Sequence, residues 1–228
     1  MSEQDEQPRI KVQTDGPYLV SGSVRLTRTA IEETDHGEPV SWEDDEDVEG
    51  TRPRYALCRC GRSSNKPFCD GTHKTWDFNG SETADRTPRE ARIRTFRGKG
   101  VTMTDDRSVC DHSGFCGDRE TDVWHMIRHT ADPEVRERLI GMVRRCPSGR
   151  LAVAPPDGKG SDLEPTFDPS VAVVCDGPLW VRGEVEVVSA DGQTYEVRNR
   201  VTLCRCGESS NKPLCDGTHR ENGFRDPG

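Results

Sequence analysis

One metal-ligand pattern occurs twice in this chain, and it constrains the fold more than any other feature of the sequence. The first copy spans residues 58–73 and the second spans residues 204–219. Each copy supplies three cysteines and one histidine at the same spacing. Thiolate and imidazole groups form a soft four-ligand shell, which suits iron–sulfur or zinc chemistry and does not suit calcium or magnesium. The eight candidate ligands are Cys58, Cys60, Cys69, His73, Cys204, Cys206, Cys215 and His219.

The composition narrows the class of protein. Only 31% of the 228 residues are hydrophobic, which predicts small apolar cores that a bound metal or cross-links would stabilise. Nine of the ten cysteines fall in metal-like clusters, and the acidic segment 1–7 has no secretory character, so bound metal in a reducing cytoplasm is favoured over disulfides. No apolar stretch approaches the length of about 18 residues that a membrane span needs. The net charge of −9 without a basic stripe disfavours nucleic-acid binding.

The repeat extends upstream of the ligands. Residues 12–26 resemble residues 173–187, and both stretches predict a strand, an Asp-Gly-Pro turn and a second strand. Residues 55–57 and 201–203 predict short strands that lead into the first cysteine of each copy. Each repeat is therefore predicted to be a small β unit followed by a metal loop. Cys175 aligns with Thr14, so it is predicted not to be a ligand.

The first repeat has a longer spacer before its metal loop. This spacer contains the acidic run Trp42–Glu49 and is predicted to be a loop insertion. A solvated loop is the favoured interpretation of the acidic run, and a docking patch for a basic partner is the alternative.

The ligand spacing suggests how each copy binds metal. The Cys-x-Cys pair can hold one iron, and the third cysteine with the histidine four residues later can hold a second, which fits a [2Fe–2S] cluster. A structural zinc site is the alternative. Asp70-Gly71 and Asp216-Gly217 predict a turn in which the aspartate caps the helix that carries the histidine. The glycines are predicted to let backbone N–H groups approach the cluster sulfur.

Both copies resemble the CDGSH iron–sulfur family, also called NEET proteins. Each meets the pattern C-x-C-x2-(S/T)-x3-P-x-C-D-G-(S/A/T)-H, with Thr72 or Thr218 in place of the serine. Family members with one motif form homodimers, so two motifs in one chain imply an internal pseudo-dimer. Since imidazole is protonated near physiological pH, histidine ligation predicts acid-labile clusters. The resemblance implies that Cys58, Cys60, Cys204 and Cys206 hold the inner irons, and Cys69, His73, Cys215 and His219 the outer irons.

A second set of cysteines lies between the two copies. Cys110 and Cys116 flank the segment Asp111–Phe115, and Cys146-Pro147 follows a helix predicted to begin at Pro133 with Asp132 as its N-cap. Three thiols suit a [3Fe–4S] cluster, whereas a [4Fe–4S] cluster needs a fourth ligand from Ser113, His112 or hydroxide. The region resembles divergent single-cluster ferredoxins, in which C-x2-A-G-x-C pairs with a later C-P-S-G; Ser113 replaces the alanine. The alternatives are a zinc or structural cysteine cluster, or a ferredoxin-like fold without a cluster.

These features predict an α+β iron–sulfur protein with two small β-rich CDGSH units, at 1–81 and 166–228, around a ferredoxin-like domain at 82–165. The predicted function is electron transfer, and the alternatives are a cluster carrier, a redox or pH sensor, or a structural zinc protein. The expected partner is a redox protein or an apo iron–sulfur acceptor, and the internal pseudo-dimer predicts a monomer. The sequence has no nucleophile–base pair, phosphate loop or dinucleotide fingerprint, so no enzyme activity is expected.

Overall fold

The computed structural model describes residues 7–49, 51–157 and 163–226. The chain divides into two compact units, the first formed by the described parts of Met1–Ala30, Asp44–Arg86 and Phe167–Gly228, the second by those of Ile31–Glu43 and Thr87–Thr166. Both metal loops belong to the first unit, and the middle cysteines belong to the second. Residues 1–6 of the acidic N-terminal segment lie outside the described residues. The sequence also predicts a linker in the Pro/Gly-rich stretch 154–161, part of which lies outside the described residues as well.

Most of the regular structure is β-strand. In chain order the strands are β1 (Arg9–Val12), β2 (Tyr18–Ser21), β3 (Arg25–Thr29), β4 (Ile31–Glu33), β5 (Pro39–Trp42), β6 (Glu46–Asp47), β7 (Tyr55–Leu57), β8 (Arg94–Arg97), β9 (Thr102–Asp105), β10 (Leu151–Ala154), β11 (Ser170–Val174), β12 (Leu179–Arg182), β13 (Glu186–Val188) and β14 (Arg200–Leu203). The helices are α1 (Arg89–Arg92), α2 (Val123–Met126) and α3 (Pro133–Arg144), and short 3-10 turns lie at Thr72–Lys74, Arg107–Val109, Ile127–His129 and Thr218–Arg220. Within the described residues, none of the helices is both long enough and apolar enough to cross a membrane.

The two repeats exchange strands in the first unit. Its sheets have the orders β13-β1-β2-β7 and β14-β12-β11-β3-β6. The antiparallel hairpins β1–β2 and β11–β12 are equivalent, and the third strand of each repeat pairs in parallel with the first strand of the other, β13 with β1 and β3 with β11. Neither sheet is complete without a strand from the other repeat. This exchange confirms the predicted pseudo-dimer.

The hairpins follow from local sequence. Strand β1 alternates, with Ile10 and Val12 buried and the residues between them exposed, which is the period of a half-buried strand. Strands β11 and β12 are buried along their whole length, as expected for strands with both faces covered. In the predicted turns, the N–H of Gly16 donates to Gln13 at 3.1 Å and that of Gly177 donates to Val174 at 2.9 Å.

The spacer of the first repeat differs from its prediction. Residues 31–42 form the β4–β5 hairpin rather than a loop, and β6 pairs with the edge of β3. Strands β4, β5 and β6 have only two to four residues each, none of them buried, so the sequence pattern did not show them. Packing within the second unit fixes the hairpin instead: the Trp42 ring lies 5.0 Å from that of Phe115, and its Nε1 donates to the carbonyl of Arg145 at 3.0 Å.

The second unit has its own sheet, β10-β9-β8, with α3 packed against it. Helix α3 begins as predicted, because the Asp132 carboxylate accepts a hydrogen bond from the N–H of Glu134 at 2.9 Å. Cys146, just beyond the end of α3, is part of the same core and is only 9% exposed. The buried core residues are Val101, Met103, Val123, Met126, Ile127, Leu139, Met142, Val143, Cys146, Leu151 and Val153.

Candidate metal centres

The four predicted ligands of the first copy, called the first site, lie on one loop after β7. The sulfur atoms of Cys58 and Cys60 are 3.9 Å apart, and Cys69 Sγ lies 3.4 Å from His73 Nδ1. The N–H of Cys58 donates to Pro67, and that of Cys69 donates to Ala56, so the loop folds back on its own strand. The donors are therefore held as two close pairs.

The second site, formed by the equivalent ligands of the second copy, repeats this geometry. The sulfur atoms of Cys204 and Cys206 are 3.7 Å apart, and Cys215 Sγ lies 3.3 Å from His219 Nδ1. The N–H of Cys204 donates to Pro213, and that of Cys215 donates to Thr202. The strand register thus builds the same loop twice.

The two thiols of each Cys-x-Cys pair have pKa values shifted in opposite directions. The hydrogen bond from Cys60 lowers the pKa of Cys58 to about 6, while the same bond and burial raise the pKa of Cys60. In the second site Cys206 is the thiol with the lowered pKa and Cys204 the one with the raised pKa. A bound metal would displace the thiol protons, since thiolates are the ligating form.

The three cysteines called the middle site, Cys110, Cys116 and Cys146, come together in the second unit. Burial, together with the charges of Cys146 and Cys110, raises the pKa of Cys116 to about 11, although the nearby Arg150 lowers it. Cys146 Sγ lies 3.6 Å from Ser148 Oγ. His112 is exposed and Ser113 is half-buried; the role of either as a fourth ligand stays a prediction.

Two further observations bear on metal binding. Among the described residues, no group of three or more His, Cys, Asp or Glu side chains is arranged to hold a single metal ion. His125 and His129 are both exposed, with ring centroids 4.9 Å apart. They therefore form a surface pair, whereas the sequence favours either a surface or a core histidine pair over a metal site at these positions.

Comparison with known families decides the class of protein. The family described as "Iron-binding zinc finger CDGSH type" matches residues 15–74 and 176–220. The family described as "Divergent 4Fe-4S mono-cluster" matches residues 96–155. This chain is an iron–sulfur protein. No curated protein and no solved structure matches it significantly.

The matched regions contain every predicted ligand of this iron–sulfur protein. The two CDGSH-type regions cover the first and second sites, and the mono-cluster region covers the middle site. The predicted arrangement of two CDGSH regions around a divergent ferredoxin-like region is confirmed. The individual ligand assignments, and the domain boundaries predicted after residues 81 and 165, stay predictions.

Backbone N–H groups donate to sulfur atoms of the CDGSH sites. Those of Ser63, Gly61 and Cys60 contribute to the lowered pKa of Cys58, and that of Gly217 donates to Cys215 Sγ at 3.4 Å. The φ of +87° at Gly217 lies in the left-handed region that favours glycine. Such donors stabilise the additional negative charge of a reduced cluster.

The aspartate of each Cys-Asp-Gly segment clamps its loop. Asp70 accepts hydrogen bonds from the N–H of Thr72 at 3.0 Å and of Ser64 at 2.8 Å, and Asp216 has the same pattern. Although burial raises it, the pKa of Asp216 is lowered to about 2 by hydrogen bonds from Thr218 and Ser210. The predicted cap was wrong in its position: the N-cap residues are Gly71 and Gly217, each aspartate lies one residue earlier, and the segment that follows is a 3-10 turn of three residues.

Sequence reasoning missed the buried arginines at the centre of each Cys-Arg-Cys. Arg59 is 1% exposed and Arg205 is 2% exposed. Arg59 donates to the carbonyls of Gln13 and Gly80, and Arg205 donates to those of Gly177 and Val174 and pairs with Asp226. Each arginine thereby ties a metal loop to the Asp-Gly-Pro turn of its repeat. The signal was the recurrence of arginine at this position in both copies.

The first and second sites lie back to back. A Cβ atom on Gly61 would lie 2.5 Å from the carbonyl oxygen of Cys206, and one on Gly207 would lie 2.7 Å from that of Cys60. Tyr18 of the first repeat donates its hydroxyl hydrogen to the carbonyl of Cys204 at 2.7 Å. The backbones that carry the two Cys-x-Cys pairs are therefore in contact.

The two sites differ in exposure. Cys215 and His219 are buried, whereas Cys69 and His73 are half-buried. The chain that follows the first site covers the second loop, because Thr83 and Ala84 both donate to the carbonyl of Lys212. Burial also lowers the pKa of His219 to about 4. The outer pair of the first site is thus the more accessible one.

Proposed function

We propose that this chain transfers electrons through two [2Fe–2S] clusters, in the first and second sites, and one [3Fe–4S] or [4Fe–4S] cluster in the middle site. The observation that best supports this proposal is that the sulfur and nitrogen donors of the first and second sites lie in close pairs. A tetrahedral metal with bonds of about 2.3 Å separates two sulfur ligands by about 3.8 Å, and the Cys-x-Cys pairs lie at 3.9 and 3.7 Å. Two such pairs fit the two irons of a binuclear cluster.

The paired arrangement also separates this proposal from structural zinc. A single zinc ion requires all four donors at mutual distances of about 3.8 Å. The described donors of each site are close within pairs and form no larger group suited to a single ion. This favours iron–sulfur clusters, which supply one-electron chemistry when bound.

The contacts around the sites suit electron transfer rather than substrate chemistry. The C-x-C pairs are buried, which excludes water from the inner ligands, and the loop contact at Gly61 and Gly207 gives a short path between the two sites. The half-buried edge at Cys69 and His73 is the point where we place the exchange with a redox partner. We further propose that the chain is monomeric, that it has no enzyme activity and that it lies in the cytoplasm.

A cluster carrier is the second candidate, and the exposure of the first site favours it. Cluster donation requires that an acceptor thiol approach the outer iron. Cys69 and His73 allow that approach, while Cys215 and His219 are buried. In this case the first cluster would move and the second would stay.

Metal and sulfide analysis of anaerobically purified protein tests the proposal. About seven or eight irons per chain with matching sulfide support three clusters, and about four support only the paired sites. Zinc without sulfide would overturn it. Incubation with an apo-ferredoxin then separates the two candidates: reversible reduction with all iron retained supports electron transfer, and movement of a [2Fe–2S] cluster to the acceptor supports the carrier.

A further inference from the structure

Arg150 lies directly against one of the middle-site cysteines. Its Nη1 is 3.2 Å from Cys110 Sγ, and its side chain is 13% exposed. Arg150 is also the fifth residue of the segment that begins at Cys146. One short segment therefore supplies a predicted ligand of the middle site and a cation at another ligand.

Two other residues fix the orientation of this guanidinium. Asp105 accepts from Nε at 2.7 Å and from Nη2 at 3.0 Å, a two-point pairing that sets the plane of the group. The guanidinium carbon lies 5.0 Å from the centre of the Trp124 ring, and Trp124 Nε1 donates to the same Asp105 at 3.1 Å. With Nε and Nη2 engaged, Nη1 is the nitrogen directed at the sulfur.

We propose that Arg150 is a positioning residue that orients Cys110 and raises the reduction potential of the middle cluster. This inference rests on the proposed presence of a cluster at that site. Reduction adds one electron from the redox partner and changes no covalent bond of the protein. A hydrogen bond from a permanent cation favours the more negative, reduced state.

The middle site and the CDGSH sites differ in the kind of group that donates a hydrogen bond to the cysteine sulfur. At the CDGSH sites the donors to sulfur include backbone N–H groups such as that of Gly217, which side-chain substitution does not remove. At Cys110 a charged side chain supplies the bond, so it can be altered while the backbone stays the same. A change at Arg150 would therefore act on the middle cluster alone.

The test compares midpoint potentials of the middle cluster in the full chain, by redox titration followed by EPR after iron and sulfide have been counted. The neutral variants are Arg150→Met and Arg150→Gln, and Arg150→Lys restores the charge. Arg128→Met is the matched control, since Arg128 is an exposed arginine of the same unit. We expect the neutral variants to shift the equilibrium about tenfold against reduction, which is about 59 mV for a one-electron couple. Arg150→Lys should recover part of this shift, and Arg128→Met should show none.

Several outcomes would overturn the inference. A neutral variant that keeps all of its iron and has the wild-type midpoint potential would do so. An equal shift of the midpoint potential in Arg128→Met would also do so. If both neutral variants lose their iron, pulsed EPR of the wild-type chain with ¹⁵N-labelled arginine decides, with the middle cluster in its half-integer-spin state, which is the oxidised state of [3Fe–4S] and the reduced state of [4Fe–4S]. Coupling of a guanidinium nitrogen to the middle cluster supports the bond, and its absence overturns it. A wild-type chain with only the CDGSH clusters would instead overturn the proposed function of the middle site.

Discussion

Gly61 packs against the carbonyl group of Cys206 so closely that a Cβ atom would lie 2.5 Å from the oxygen. The reciprocal contact joins Gly207 to Cys60. Both glycines also have positive φ, +76° and +87°. The two loops that carry the inner ligands therefore support each other, and each depends on the absence of a side chain on the other.

We expect Gly61→Ala and Gly207→Ala to destabilise the protein through this contact. Gly192→Ala is the matched control, because Gly192 has φ +89° but no neighbour within 4 Å of an added Cβ. The loop variants should lose about 1–3 kcal/mol more unfolding free energy than the control. Urea unfolding measures the difference, and equal losses in all three variants would show that backbone conformation alone is responsible.

Tyr18 gives the second site a support that comes from the other repeat. Its hydroxyl donates to the carbonyls of Cys204 and Pro213, and Leu179 occupies its place in the second repeat. Removing the hydroxyl leaves buried carbonyl groups with one donor fewer, so Tyr18→Phe should lower the unfolding free energy by about 1–2 kcal/mol. It should also speed iron loss from the second site.

Tyr55→Phe provides the comparison for Tyr18→Phe. The Tyr55 hydroxyl donates to Val24 at 3.0 Å, within the first repeat. Iron loss can be followed by the [2Fe–2S] EPR signal in a Cys58→Ser/Cys60→Ser background, which leaves the second site as the binuclear one. If Tyr55→Phe speeds the loss from the second site as much as Tyr18→Phe, the contact across the repeats has no specific role.

The parts of the fold that the sequence predicted are those that neighbouring residues determine. The ligand spacing is covalent, the Asp-Gly-Pro turns depend on backbone preference, and α3 begins where Asp132 can cap it. The exchange of β3 and β13 joins residues far apart in the chain, and burial rather than local pattern selects those partners. The same holds for Arg150 and Cys110, which are forty positions apart and share no local motif.

The difference in exposure between the first and second sites predicts different rates of iron loss. Chelators reach iron through the outer ligands, and Cys69 and His73 are half-buried while Cys215 and His219 are buried. A chain with Cys204→Ser/Cys206→Ser keeps only the first site as a binuclear centre, and Cys58→Ser/Cys60→Ser keeps only the second. With bipyridyl, we expect the first site to lose iron severalfold faster. Equal rates would mean that exposure does not limit release.

The ion pair between Arg9 and Glu186 links the exchanged strands β1 and β13 at 2.6 Å. The hydrogen bond from Arg9, with a second from Thr194, lowers the pKa of Glu186. The stabilisation is therefore fully present above the ordinary pKa of a glutamate and is lost as the pH falls through the lowered value in the folded state. Since the pair is exposed, Glu186→Gln should lower the unfolding free energy by only about 0.5 kcal/mol at pH 7.

This loss should disappear under acidic conditions, because the wild-type carboxylate is then protonated and resembles the glutamine. Glu184→Gln is the control for a surface charge next to the same strand, since Glu184 is exposed. Urea unfolding at pH 7 and at pH values below that of glutamate ionisation measures both variants. If the difference between Glu186→Gln and wild type persists in acid, the glutamine side chain itself is responsible and the ion pair does not stabilise the exchanged strands.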